Sequence, residues 1–186
     1  MRVVERKRRP VERRRPPADA QRHPWAPGGA GEPPVFIDRG LAHQLSDEAA
    51  GAAARTEEAL SLLVGDRFLD PATGSPYPVA MARVTGPLVA SAARVRFDTG
   101  GFEAVARALD DVPFDYLVVG WFHSHVGLGC RPSAIDLATH RRFFRAPHQF
   151  ALILDPVQRQ AAAYTLAGAA LAPRPLLVFG PPGNRP

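Results

Sequence analysis

The sequence predicts an α+β domain, a mixed β-sheet flanked by helices, behind a basic and disordered N-terminal tail. Three observations predict it. Strand-like apolar runs and helix-like segments follow one another without the regular βα alternation of a doubly wound sheet. Charge gathers at one end: residues 1–25 hold nine Lys or Arg against three acids, a local +6 in a chain of net +5, which leaves the remainder at −1. From Pro34 onward the pattern turns globular, and 186 residues suffice for one domain with a core of its own.

Residues 1–33 are rich in Arg, Pro and Gly. Such a stretch buries too little surface to offset the entropy of ordering it, so it reads as disordered. It is a solvated tail or an electrostatic tether for nucleic acid or an acidic partner. Lone Trp25 is not the aromatic interleaving that single-strand binding uses. The domain is expected over 34–180. Val35-Phe36-Ile37 is a short strand, and 41–56 an Ala-rich helix. Ala59 to Val64 is a strand-length apolar run ending at Gly65-Asp66. Asp70 to Pro76 carries turn residues, and 77–85 and 94–97 are strand candidates. Gly100-Gly101 precedes an amphipathic helix over 102–110, with Phe102, Val105, Ala106 and Leu109 on one face. Tyr116 to Phe122 is a buried strand. Residues 133–145 form a helix with Ser133 at its start, after Pro132. Phe150 to Leu154 is a second buried strand, stopped by Asp155-Pro156. Residues 160–166 and 175–179 are further strands, and 181–186 form a C-terminal tail.

Several function classes drop out. Cys130 is the one cysteine, so neither an intrachain disulfide nor a Cys-rich metal cage can form. No stretch approaches the roughly 18 apolar residues of a membrane span. No apolar run follows the N-terminal arginines, so a cytoplasmic protein is expected. No Gly-rich phosphate loop opens a helix, which removes support for nucleotide hydrolysis.

The chemistry concentrates in residues 121–136. His123 and His125 stand two apart at the end of an apolar strand, where period-two alternation puts both on one face. Gly127 and Gly129 let the chain turn sharply. Ser133 and Asp136, three apart, share a face of the following helix, which can return Asp136 to the imidazoles. Two imidazoles and a carboxylate are a common ligand set for catalytic zinc, with the fourth position left to water. The chemistry also needs a base and a donor for the tetrahedral intermediate, and Ser133, beside Asp136, is placed for the second task.

The spacing His-x-His, seven residues, Ser, two residues, Asp resembles the signature of the JAMM (MPN-plus) metalloprotease family. Gly120-Trp121-Phe122-His123-Ser124-His125, then Gly127, Gly129 and Cys130, is similar to the segment of its proteasome-lid deubiquitinase and signalosome deneddylase subgroup. Asp155-Pro156 after a strand fits the same subgroup. The resemblance covers about residues 34–165. It implies a three-layer, cytidine-deaminase-like arrangement with one catalytic zinc ion (Zn2+) held by His123, His125 and Asp136. It also implies an upstream glutamate as general base at the start of a strand running apolar into a glycine. Glu58 fits that pattern through Gly65, with Glu57 as its competitor. The implied activity is zinc-dependent isopeptidase hydrolysis of ubiquitin or a ubiquitin-like modifier from its conjugate, with an activating partner subunit a common feature of relatives. The alternatives are another amide substrate, such as a sulfur-carrier or small-molecule conjugate, and a non-catalytic scaffold. Two positions depart from the family: Val126 stands where Pro is usual, and Arg131-Pro132 where Trp-Leu is usual.

Other residues receive blander readings. Cys130 is a packing residue rather than a nucleophile, since both nearby histidines are better used by a metal. His140, one turn after Asp136, is read either as a partner behind the metal ligands or, in preference, as part of a solvated helix face with Arg141 and Arg142. His23, His43 and His148 carry no signal.

Overall fold

The computed structural model describes residues 10–26, 33–91, 94–97 and 100–181; the ends assigned to tails at 1–9, 27–32 and 182–186 lie outside them. Along the chain run β1 (Glu12–Arg13), β2 (Gln21–Arg22), β3 (Val35–Asp38), α1 (Arg39–Ala53), β4 (Leu60–Leu69), β5 (Pro76–Val84), β6 (Leu88–Ser91) and β7 (Arg94–Phe97). Then follow α2 (Gly101–Asp110), β8 (Leu117–Ser124), α3 (Ala134–Phe143), β9 (Phe150–Asp155), β10 (Gln160–Ala167), β11 (Ala170–Arg174) and β12 (Leu176–Phe179).

The main sheet has the order β11-β10-β9-β8-β4-β5-β3-β12-β2, with β1 added to β4; β6 and β7 form a separate hairpin. It is mixed: β8–β9, β3–β5 and β3–β12 are parallel, and β4 is antiparallel to both β5 and β8. One face is covered by α1, whose Leu41, Leu45, Ala49 and Ala52 pack against Leu63, Phe122, Leu152 and Val178. On the other, Val105 of α2 meets Val64 and Val84, and Phe144 beyond α3 packs on Trp121 and Ala151. The result is the expected three layers. No helix among the described residues is long and apolar enough to cross a membrane.

The tail assignment needs correction over residues 10–26. β1 pairs with β4 and β2 with β12. The Tyr77 hydroxyl donates to the Arg14 carbonyl at 2.9 Å, and Ala161 N–H donates to the Trp25 carbonyl at 3.0 Å. His23 is buried, and Trp25 packs partly buried against the main core. Composition averages over Arg and Pro and so hides the few anchors that dock this strap.

The run at Ala59 also extends further than expected. β4 continues through Gly65 to Leu69, because Gly65 marks a close approach rather than an end. A Cβ there would lie 2.0 Å from the Val79 carbonyl oxygen, and the ladder shifts register beside it.

Candidate metal centre

β8 carries the first two site residues to the rim of the sheet. Trp121 and His123 alternate onto the α3 face, while Phe122 faces α1. β8 ends at Ser124, and the chain then turns through Gly127 (φ +76°) and Gly129 (φ +74°), backbone that only glycine adopts without strain. It re-enters a helix at Ser133, the N-cap of α3. The Ser133 hydroxyl accepts the Asp136 N–H at 3.2 Å, and the Asp136 carboxylate accepts the Ser133 N–H at 2.6 Å. This reciprocal capping box fixes the rotamer of Asp136 and turns its other oxygen, Oδ1, toward His123.

Three donor atoms converge. His123 Nε2 lies 3.0 Å from His125 Nε2 and 3.3 Å from Asp136 Oδ1, and His125 Nε2 lies 3.8 Å from Asp136 Oδ2. All three side chains are buried. The edges of a tetrahedron with bonds near 2.1 Å are about 3.4 Å; the two separations from His123 Nε2 lie just under that value, and one ligand atom from each of the three residues lies within 4.8 Å of the others. Electrostatics agree with a place for a cation. Burial drives the His123 pKa down to about 4, so that ring is neutral. Burial also works against a charged His125, but Asp136, the Gly129 carbonyl and Glu58 outweigh it and raise its pKa. Burial would raise Asp136, yet His125, His123 and Ser133 hold it down near 2. A neutral imidazole, a second imidazole with excess proton affinity and an ionised carboxylate together fit a divalent ion.

Glu58 precedes β4 rather than starting it. The β4–β8 register pairs Leu60 with His123. Ser124 extends the pairing: its N–H donates to the Ala59 carbonyl at 3.0 Å, and its hydroxyl accepts the Ala59 N–H at 2.8 Å. Carried one residue further, the register sets Glu58 level with His125. Glu58 is 6% exposed. Burial raises its pKa to about 7, with His125 opposing and Asp136 adding to the rise. Glu57 turns away: its half-exposed carboxylate pairs with Arg55 at 2.9 Å.

Sequence reasoning missed two supports. Ser124 is fully buried and ties the Glu58 segment to β8, a role that neither spacing nor polarity signals. His140 is the second, and its assignment to a solvated face is corrected: it is fully buried. Its Nδ1 accepts the Trp121 indole N–H at 3.1 Å, while Trp121 stacks on His123 at 4.8 Å with planes 11° apart. The i,i+4 spacing from Asp136 is the signal behind the supporting role that the sequence reading places second. Cys130 is buried, its thiol donating to the Ile153 carbonyl, and burial raises its pKa to about 12. A thiol so held is no nucleophile at neutral pH.

Residues 101–148 match the family model described as JAB1/Mov34/MPN/PAD-1 ubiquitin protease. COP9 signalosome complex subunit 5 of Debaryomyces hansenii is 33% identical over 88 residues, 45% of this chain and 19% of that one. The 26S proteasome regulatory subunit rpn11 of Schizosaccharomyces pombe is 44% identical over 43 residues, 23% of this chain and 14% of its own. Ubiquitin carboxyl-terminal hydrolase RPN11 of Saccharomyces cerevisiae is 42% identical over 45 residues, 24% of this chain and 15% of its own. The chain thus spans less than a fifth of these curated relatives' length. A Desulfitobacterium hafniense protein solved in solution has a TM-score of 0.52 at 18% identity, over 78% of this chain and 92% of that one, which shows the shared fold.

Proposed function

We propose that this chain, which belongs to the JAB1/MPN family, is a zinc-dependent isopeptidase that releases ubiquitin or a ubiquitin-like modifier from its conjugates. The observation that carries the proposal is the convergence of His123, His125 and Asp136, with one ligand atom of each within 4.8 Å of the others and buried Glu58 level with His125 across the sheet. The modifier as substrate rests on the family model, described as a ubiquitin protease and matched over residues 101–148, which include the three ligands, and on relatives named as a ubiquitin carboxyl-terminal hydrolase and a signalosome subunit.

His123, His125 and Asp136 would hold the ion. When bound, zinc acts as a Lewis acid and lowers the pKa of coordinated water toward about 7. Glu58, level with His125 and buried, takes the proton from the attacking water and passes it to the leaving amine. Ser133 is exposed, and its oxygen accepts from Asp136 N–H, so its hydroxyl proton is free to be donated to the scissile carbonyl oxygen as charge develops there. Trp121, stacked on His123, shields that ring from water. The ordered domain under this reading spans the strap at 10–26 together with the expected 34–180.

The test joins metal content to hydrolysis. Purified protein should contain one zinc per chain and cleave a C-terminal amide of a ubiquitin-like modifier, and Glu58→Gln should keep the zinc and lose the cleavage. A zinc-loaded chain that cleaves no modifier amide but does cleave a small-molecule amide would move the substrate class. A chain that binds no zinc would favour a scaffold.

A further inference from the structure

We infer that Asp155 is a positioning residue for His125, setting which imidazole nitrogen faces the metal by acting through Gly129. The inference deepens the proposed function and rests on its metal site.

β9 runs parallel to β8 with Ser124 paired to Leu154, and His125 N–H donates to the Leu154 carbonyl at 2.8 Å. Asp155, the last residue of β9, therefore ends up under the loop by which the chain leaves β8. Its side chain is completely buried. A buried carboxylate is costly unless it is paired, and here four backbone N–H groups pair it. Oδ1 accepts from Gly127 at 3.2 Å and from Val157 and Gln158 at 3.0 Å each, and Oδ2 accepts from Gly129 at 2.7 Å. The proposed mechanism makes no use of this group.

What these bonds hold in place is the Gly129 carbonyl, which accepts a hydrogen bond from His125 Nδ1. A carbonyl oxygen only accepts, so Nδ1 must carry the ring proton. In the neutral ring Nε2 then keeps its lone pair, and Nε2 is the atom that faces His123 and Asp136. Asp155 thus grips Gly129 by its N–H, and Gly129 grips His125 by its C=O. Outer partners of this kind fix the tautomer and direction of metal-binding histidines.

The test is Asp155→Asn. An amide keeps the shape but replaces one oxygen by NH2. If the NH2 takes the Oδ2 position it opposes the Gly129 N–H, and if it takes the other it opposes three donors. Two readouts apply. One is the Kd for zinc, measured against a chelator. The other is the His125 tautomer in metal-free protein, read by 15N imidazole correlation at alkaline pH where the ring is neutral. The expected outcome is a single Nδ1–H tautomer in the wild type, a mixture in Asp155→Asn, and zinc affinity weakened about 10- to 100-fold. Gln158→Ala, which removes only the exposed bond from that side chain to the Gly127 carbonyl, should leave both unchanged. Wild-type zinc affinity with an undisturbed Nδ1–H tautomer in Asp155→Asn would overturn the inference. If the variant fails to fold, the wild type decides: a slowly exchanging Gly129 amide with Nδ1–H on His125 supports the inference, and a freely exchanging amide or an Nε2–H ring overturns it. A wild type that binds no zinc, yet shows a tautomer that Asp155→Asn scrambles, would sink the metal site and leave the positioning role standing.

Discussion

Ser133 has two separable jobs, and substitution can part them. As N-cap of α3 its hydroxyl oxygen accepts the Asp136 N–H. In the proposed reaction the same hydroxyl donates to the carbonyl oxygen. Ala removes both; Gly removes the hydroxyl but remains a tolerable cap. Ser→Ala at an N-cap costs about 1 kcal/mol, and Ser→Gly only a few tenths. For a chain of this size 1 kcal/mol moves Tm by about 2–4 °C, so Ser133→Ala should show that shift and Ser133→Gly well under half of it. The second bond of the box comes from the Ser133 backbone N–H at 2.6 Å. Both variants keep it, so Asp136 stays aimed and zinc content should persist. Loss of one donor to a developing oxyanion costs about 10²- to 10³-fold in kcat. Ser133→Gly should therefore be nearly as stable as the wild type, zinc-loaded, and slowed by that factor on a modifier-amide substrate. If it retains wild-type kcat, Ser133 is a helix cap and nothing more.

Glu58→Gln should lower kcat about 10²- to 10⁴-fold with zinc retained, whereas Glu57→Gln, at an exposed ion pair, should change little. Because the base must be deprotonated to act, kcat/KM should fall as pH drops through the Glu58 pKa, which lies near 7 without the ion and lower beside a cation; steady-state profiles of wild type and Glu58→Gln check it. Burial lowers His23 to about 4, so between the unfolded value near 6.5 and pH 4 the unfolded chain binds a proton that the folded chain refuses. Stability should fall across that window by about 3 kcal/mol from this group, and chemical denaturation of His23→Gln should show a shallower dependence on pH. A Cβ at Gly120 would sit 2.2 Å from the Phe150 carbonyl oxygen. Gly120→Ala should thus force β8 from β9, destabilise by about 1–3 kcal/mol and weaken zinc binding, as calorimetry and metal analysis can show. Deleting residues 1–26 should lower Tm rather than leave it unchanged, since His23, Trp25 and the Arg14 backbone are docked.

The elements that hold the site were legible because their signals are local. An apolar run ending in His123-Ser-His125, paired glycines and a Ser133-x-x-Asp136 box each dictate backbone within a few residues. The α1 boundary moved to 39–53 because Asp38 caps it, its carboxylate accepting from Leu41 N–H at 3.0 Å. β11 went unread: its Ala-Leu-Ala-Pro-Arg has weak strand propensity, and Pro173 is tolerated because β11 is a sheet edge. The strap at 10–26 and the burial of His140 and Asp155 depend on partners distant in sequence. Trp121 reaches His140 across 19 residues, and Asp155 reaches Gly129 across 26. No periodicity or composition encodes such pairings.

X-ray absorption at the zinc edge is the most direct test of the metal site. The site described here predicts one ion per chain with only nitrogen and oxygen neighbours at about 2.0–2.2 Å, two of them imidazoles, and loss of the ion in His123→Ala and Asp136→Ala. A sulfur neighbour near 2.3 Å, which would implicate Cys130, or protein that takes up no zinc at all, would contradict it.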